Sequence, residues 1–99
     1  MDILKELNGS KLIISPVGRL DTASAPQLDE LLKTSIEGIT ELILDLSKLD
    51  YMSSAGLRII LYAQKAMNTQ GKMKVINVNS TIMEIFDITG FTDILTIEN

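Results

Sequence analysis

The stretch Glu41-Leu42-Ile43-Leu44-Asp45-Leu46 is an almost unbroken apolar run of strand length. Such a run fits a central strand with neighbours on both sides, whereas a half-exposed strand alternates apolar and polar residues. After a short polar segment, Leu57, Ile60, Leu61 and Met67 recur at helical spacing. Ile59, Ala63 and Ala66 widen the stripe, and Arg58, Lys65 and Thr69 fall opposite. A buried strand leading into a broadly apolar helix is half of a strand–helix–strand unit, which brings parallel pairing and a helix packed on the sheet.

The flanking segments extend this plan. Residues 3–7 and 11–17 read as strands joined by Asn8-Gly9, a strong two-residue hairpin signal. Pro16 lacks an amide hydrogen and is expected at an edge or near the strand end. Gly18-Arg19-Leu20-Asp21 turns the chain out of the second strand. Ser24-Ala25-Pro26-Gln27 has the form of a capping box, with Asp29 and Glu30 complementing the helix dipole. Leu28, Leu31, Leu32 and Ile36 give this helix one apolar face, and Gly38 ends it. Beyond Gly71, residues 73–78 alternate as a strand. Thr81 with Glu84 forms a second capping box, Ile82, Ile85, Phe86 and Ile88 face the core, and Gly90 closes the third helix. Residues 94–97 make a short last strand. The order β-β-α-β-α-β-α-β predicts an α/β fold with a mixed five-stranded sheet and three to four helices, the first hairpin antiparallel and the later strands mostly parallel.

Composition removes several kinds of chemistry. Ninety-nine residues, 45% hydrophobic and 22% charged, suit one small domain that folds without staples. There is no Cys, so no disulfide, thiolate metal site or cysteine nucleophile exists. There is no His, the commonest general base near neutral pH and the commonest metal ligand. No catalytic residue, metal or cofactor is expected. The net charge is −4, and only Lys72 and Lys74 among the cations lie close together, so direct nucleic-acid binding is not expected. The amino-terminal residues lack the pattern of a signal peptide, and no stretch approaches the roughly 20 apolar residues of a membrane span. The chain reads as cytoplasmic, with no membrane insertion.

Ser53 and Ser54 stand where the second helix must begin. Hydroxyls there meet free backbone N–H groups and the positive end of the helix dipole. That position suits an N-cap, and it suits a bound or attached phosphate equally well. A hydrolase elbow of the form Gly-x-Ser-x-Gly is absent, because Met52 stands two residues before Ser54, and no His could complete a triad. A phosphate-cradling loop would need more glycines and a Lys ahead of the helix. Gly56 fits close helix packing.

Tyr51-Met52-Ser53-Ser54-Ala55-Gly56-Leu57, preceded by Leu44-Asp45-Leu46, resembles the signature of STAS domains, and more closely that of bacterial anti-sigma factor antagonists. Gly18-Arg19-Leu20-Asp21 is similar to the family's Gly-x-Leu/Ile-Asp turn, and Phe86-Asp87-Ile88-Thr89-Gly90-Phe91 to its third-helix ending. The resemblance runs over essentially the whole chain and implies one STAS domain over residues 1–99.

What the resemblance implies is a binding switch and not an enzyme. In the family, the unphosphorylated protein binds a serine kinase that doubles as an anti-sigma factor, and a sigma factor is released. The kinase then phosphorylates a serine at the start of the second helix, the complex parts, and a serine phosphatase resets it. The acceptor position falls on Ser54. Many members carry Asp just before it, where this chain has Ser53, and this second neighbouring hydroxyl makes Ser53 the runner-up. Asp21, Ser53, Ser54, Gly56 and Arg58 are the expected partner-binding residues. The chain is expected to be a monomer, or a weak dimer through the edge strand around Ile3. The alternative is a constitutive STAS-type subunit of an ATPase, transport or signalling complex, in which Ser54 only caps a helix.

Overall fold

A computed structural model describes residues 1–98. Asn99, the last residue of the expected domain, lies outside them. Strands β1 (Asp2–Asn8) and β2 (Lys11–Leu20) form the antiparallel hairpin around Asn8-Gly9. Helix α1 (Ala25–Ser35), strand β3 (Glu41–Asp45), strand β4 (Leu49–Met52) and helix α2 (Ser54–Asn68) follow. Strand β5 (Lys72–Ile76), helix α3 (Ser80–Thr89), a 3-10 turn at Phe91–Asp93 and strand β6 (Ile97–Glu98) complete the order. The sheet runs β1-β2-β3-β5-β6, with all pairs after the hairpin parallel. The apolar run 41–46 therefore forms the central strand it predicts.

Strand β4 is the addition to the expected order. It occupies the polar segment between Leu46 and Ser53 and pairs in parallel with the far end of β2. This also changes β2, which does not turn out at Gly18 but continues through Leu20. β2 uses one side twice. Residues Lys11 to Ile14 pair β3, and Gly18 to Leu20 pair β4. Pro16 falls between those two ladders, so it lies mid-strand and buried, not at an edge. On that side no ladder hydrogen bond is lost to its missing N–H.

The core is aliphatic. Leu12 and Ile14 of β2, Leu42 and Leu44 of β3, and Met73 and Val75 of β5 alternate inward and meet Leu28 and Leu32 of α1 and Ile60, Ala63 and Met67 of α2. α3 packs against β4 through Ile82 and Phe86, both fully buried. Ile88, expected on that apolar face, is instead 78% exposed. Gln64, with no apolar character to announce it, is buried in α2.

The helix starts differ from the expected boxes. The Ser24 hydroxyl makes no cap bond to α1. It accepts from the Asp21 N–H at 3.0 Å and donates to the Arg19 carbonyl at 2.8 Å. The amide of Gln27 is drawn to the Met1 carbonyl at 2.7 Å. Asp29 lies beyond the first turn of α1 and pairs with Lys33 at 2.9 Å. At α3 the cap is Asn79, not Thr81. Its side-chain oxygen accepts from the Ile82 N–H at 2.9 Å, and its amide donates to the Leu49 carbonyl at 2.9 Å. Gly90 ends α3 as expected, at φ 79°, a left-handed conformation that costs glycine nothing.

Candidate functional site

The β2–β4 ladder builds the site. Leu20 stands opposite Met52, and the next step is the Ser53 N–H donating to the Leu20 carbonyl at 2.8 Å. The turn that begins at Asp21 and the helix that begins at Ser54 therefore leave the sheet side by side. The ladder shifts register between Gly18, opposite Leu49, and Arg19, opposite Tyr51. Asp50 is the extra residue of this bulge, and it is exposed beside the site.

Asp21 is an Asx-type turn residue at the mouth of α1. One carboxylate oxygen accepts from the Ala23 N–H at 3.0 Å and the Ser24 N–H at 3.1 Å, and the Asp21 carbonyl accepts from the Ala25 N–H at 2.8 Å. The Ser24 N–H above all holds this carboxyl below the usual carboxylate range. Desolvation pushes the other way, and the Ser24 N–H together with the Ser24 hydroxyl, the Ala23 N–H and the charge of Arg19 outweighs it. Asp21 is therefore ionised at neutral pH and fixed in place.

The two serines are not equivalent. Ser53 is the N-cap by position, with extended backbone (φ −91°, ψ 178°), and its carbonyl accepts the first helical bond from the Leu57 N–H at 3.1 Å. Its hydroxyl makes no cap bond. The oxygen is buried and has no hydrogen-bond partner. Ser54, the first residue of α2, is exposed. The amino end of α2 thus has no side-chain cap, and no acidic residue lies in its first turn.

Gly56 was expected on the partner surface, yet it is buried. A Cβ there would stand 2.8 Å from Leu20 Cγ and Cδ2 and from Met52 Cγ. It acts from beneath, letting α2 approach the end of the β2–β4 ladder closely enough to set Ser54 beside the Asp21 turn. Arg58 is exposed one helical turn after Ser54. The structure therefore brings Asp21, Ser53 and Ser54 to one end of the sheet, with Arg58 on the adjoining helix surface.

Arg19 and Tyr51 stand in the motifs quoted from the sequence, but neither was expected to act at the site. The Arg19 guanidinium carbon lies 4.5 Å from the centre of the Tyr51 ring, a cation–π contact across the ladder. The only signal for it was β4 itself, since pairing of β2 with 49–52 is what sets the two side by side. Among the described residues, no group of three or more Asp and Glu is placed to hold a metal ion. Among the same residues, no helix is long and apolar enough to cross a membrane.

Comparison with known proteins bears on the family and the fold. The STAS domain family model matches residues 2–99. The chain is 36% identical over 90 residues to BtrV of Bordetella bronchiseptica, covering 89% of this chain and 78% of that protein. It is 33% identical over 91 residues to the anti-sigma-B factor antagonist of Bacillus subtilis, covering 91% and 84%. In fold it is similar to the Bacillus anti-sigma factor antagonist SpoIIAA. The unphosphorylated form gives a TM-score of 0.85 at 20% identity, covering 99% of this chain and 89% of that one. The phosphorylated form gives 0.78 at 20% identity, covering 99% and 92%. By family model, relatives and fold, the chain belongs to the STAS domain family.

Proposed function

We propose that this chain is an anti-sigma factor antagonist and that Ser54 is its phosphorylation switch. The unmodified form binds a serine-kinase anti-sigma factor in the cytoplasm and frees a sigma factor. The kinase phosphorylates Ser54, the complex parts, and a serine phosphatase restores binding. The chain is the bound partner in this cycle and not a catalyst. The relatives named as anti-sigma factor antagonists support the reading at the level of function. The observation that carries the choice of residue is the contrast between the two hydroxyls. Ser54 is exposed at the end of the sheet beside Asp21, whereas the Ser53 oxygen is buried. A kinase can reach the Ser54 side chain as it stands, whereas the Ser53 hydroxyl must first turn out of its buried position.

The physical lever is charge. Phosphate at Ser54 adds about −1.5 to −2 charges to a surface that already carries Asp21 and Asp50. A favourable helix dipole and free N–H groups keep the domain folded. Repulsion and desolvation of about 3 kcal/mol at a docked partner would weaken binding roughly a hundredfold. The test is affinity for the cognate anti-sigma kinase, measured for the unmodified chain and for the chain carrying phosphoserine at position 54. The expected result is tight binding by the first and a loss of roughly a hundredfold by the second. Equal affinity overturns the switch and leaves a constitutive binding subunit.

A further inference from the structure

Ser54 and Arg58 lie four residues apart in α2 and are both exposed. At that spacing they are neighbours on one face of the helix, with the anion position ahead of the cation, the favourable order. No carboxylate lies within ion-pair distance of Arg58 among the described residues, and the first turn of α2 holds no acidic residue. The other charges at this end of the sheet are already committed or have the wrong sign. Arg19 is stacked on Tyr51. The Asp21 carboxylate is bonded to its own turn. Asp50 projects from the β4 bulge and adds negative charge. A dianion on Ser54 would thus arise among two carboxylates, with Arg58 as the unengaged cation one helical turn away.

We infer that Arg58 is the intramolecular counter-charge for a phosphate on Ser54. Modification then changes the docking face twice. It adds negative charge, and it draws the Arg58 guanidinium toward the helix start and away from a partner. A guanidinium suits this task, because its planar fork of N–H donors matches phosphate oxygens. The pair also holds the modified serine against its own helix. This inference rests on Ser54 being the modified residue, and it adds a role for a residue whose position alone suggests a solvated charge.

The test uses the full chain with phosphoserine installed at position 54 by genetic encoding, so no kinase is needed. Phosphorus NMR follows the second ionisation of the phosphate in the chain with Arg58, in Arg58→Gln and in Arg58→Lys. The expected result is an apparent pKa higher by about 0.15–0.4 in Arg58→Gln, with Arg58→Lys recovering most of the difference. A change below about 0.1 in Arg58→Gln overturns the pair, given the same relation of energy to pKa. So does an Arg58→Lys value equal to that of Arg58→Gln, because the effect then does not follow charge. A flat titration removes only this pair. Unchanged partner affinity of the phosphoserine chain removes the switch and leaves the pair standing.

Discussion

The Ser53 N–H donates to the Leu20 carbonyl at 2.8 Å, and this bond ties the entrance of α2 to the residue before Asp21. The β2–β4 ladder thus continues one step past its last strand residue. Two segments far apart in sequence are held in register by backbone bonding, which fixes their relative height more tightly than side-chain packing alone. The Asp21 turn and the helix start that carries Ser54 are placed together by sheet geometry.

Gly56→Ala should destabilise the domain despite alanine's advantage of about 1 kcal/mol as a helix former. The added methyl would meet Leu20 and Met52 at 2.8 Å, and both side chains are essentially fully buried. Overpacking of this kind costs about 1–3 kcal/mol. Urea denaturation should show a net loss of about 1 kcal/mol or more. A variant as stable as the parent would mean that α2 can lift off the sheet without cost. Gly71→Ala should lose more, because its methyl would run into the backbone carbonyl of Thr40, which cannot swing aside as a side chain can.

Ser53→Ala and Asn79→Ala should part company although both remove an N-cap residue. The Ser53 hydroxyl is buried without a partner and caps nothing. Its removal relieves an unsatisfied group, so stability should hold within about 0.5 kcal/mol or rise slightly. Asn79 bonds both the Ile82 N–H and the Leu49 carbonyl, so its loss should cost about 1–2 kcal/mol. Chemical denaturation of the two variants side by side tests this. A loss above about 1 kcal/mol in Ser53→Ala would show that the hydroxyl does cap α2 in solution.

Acid should destabilise the fold partly through Asp45. Partial burial pushes its carboxyl up. The Asn77 amide at 3.0 Å, the Ser47 N–H at 3.0 Å, the Ser47 hydroxyl and the charge of Lys48 together outweigh that and hold it below its ordinary value. A carboxyl depressed in the folded state contributes stability above its unfolded pKa of about 3.9, and that stability is lost as pH falls through the folded value. Asp21 acts with the same sign. Asp45→Asn should therefore be less stable at neutral pH and decline less steeply below about pH 4. Denaturation midpoints across a pH series provide the measurement, and parallel curves for parent and variant would contradict the assignment.

Much of the architecture was readable because several signals were local. Asn8-Gly9 makes its hairpin, the run from Glu41 makes the central strand, and Gly90 takes the left-handed position at the end of α3. Strand β4 was not readable for a physical reason. It spans four residues, and Asp50 sits in a bulge that breaks the alternation. Two capping boxes looked complete in sequence, yet Asp21 and Asn79, each a few residues earlier, took over the turn and the cap. At the site, adjacent serines carry the same chemistry in sequence. Only side-chain direction separates them, and that follows from how Gly56 lets α2 settle on Leu20 and Met52.

The central claim is that Ser54 is the modified residue. Phosphopeptide mass spectrometry on the protein from its native cells tests it most directly. Trypsin cuts after Lys48 and Arg58, so residues 49–58 leave as one peptide carrying both serines. The account predicts phosphate localised to Ser54, with occupancy that changes between growth and stress. Phosphate on Ser53, or a peptide that stays unmodified in every condition, would contradict it.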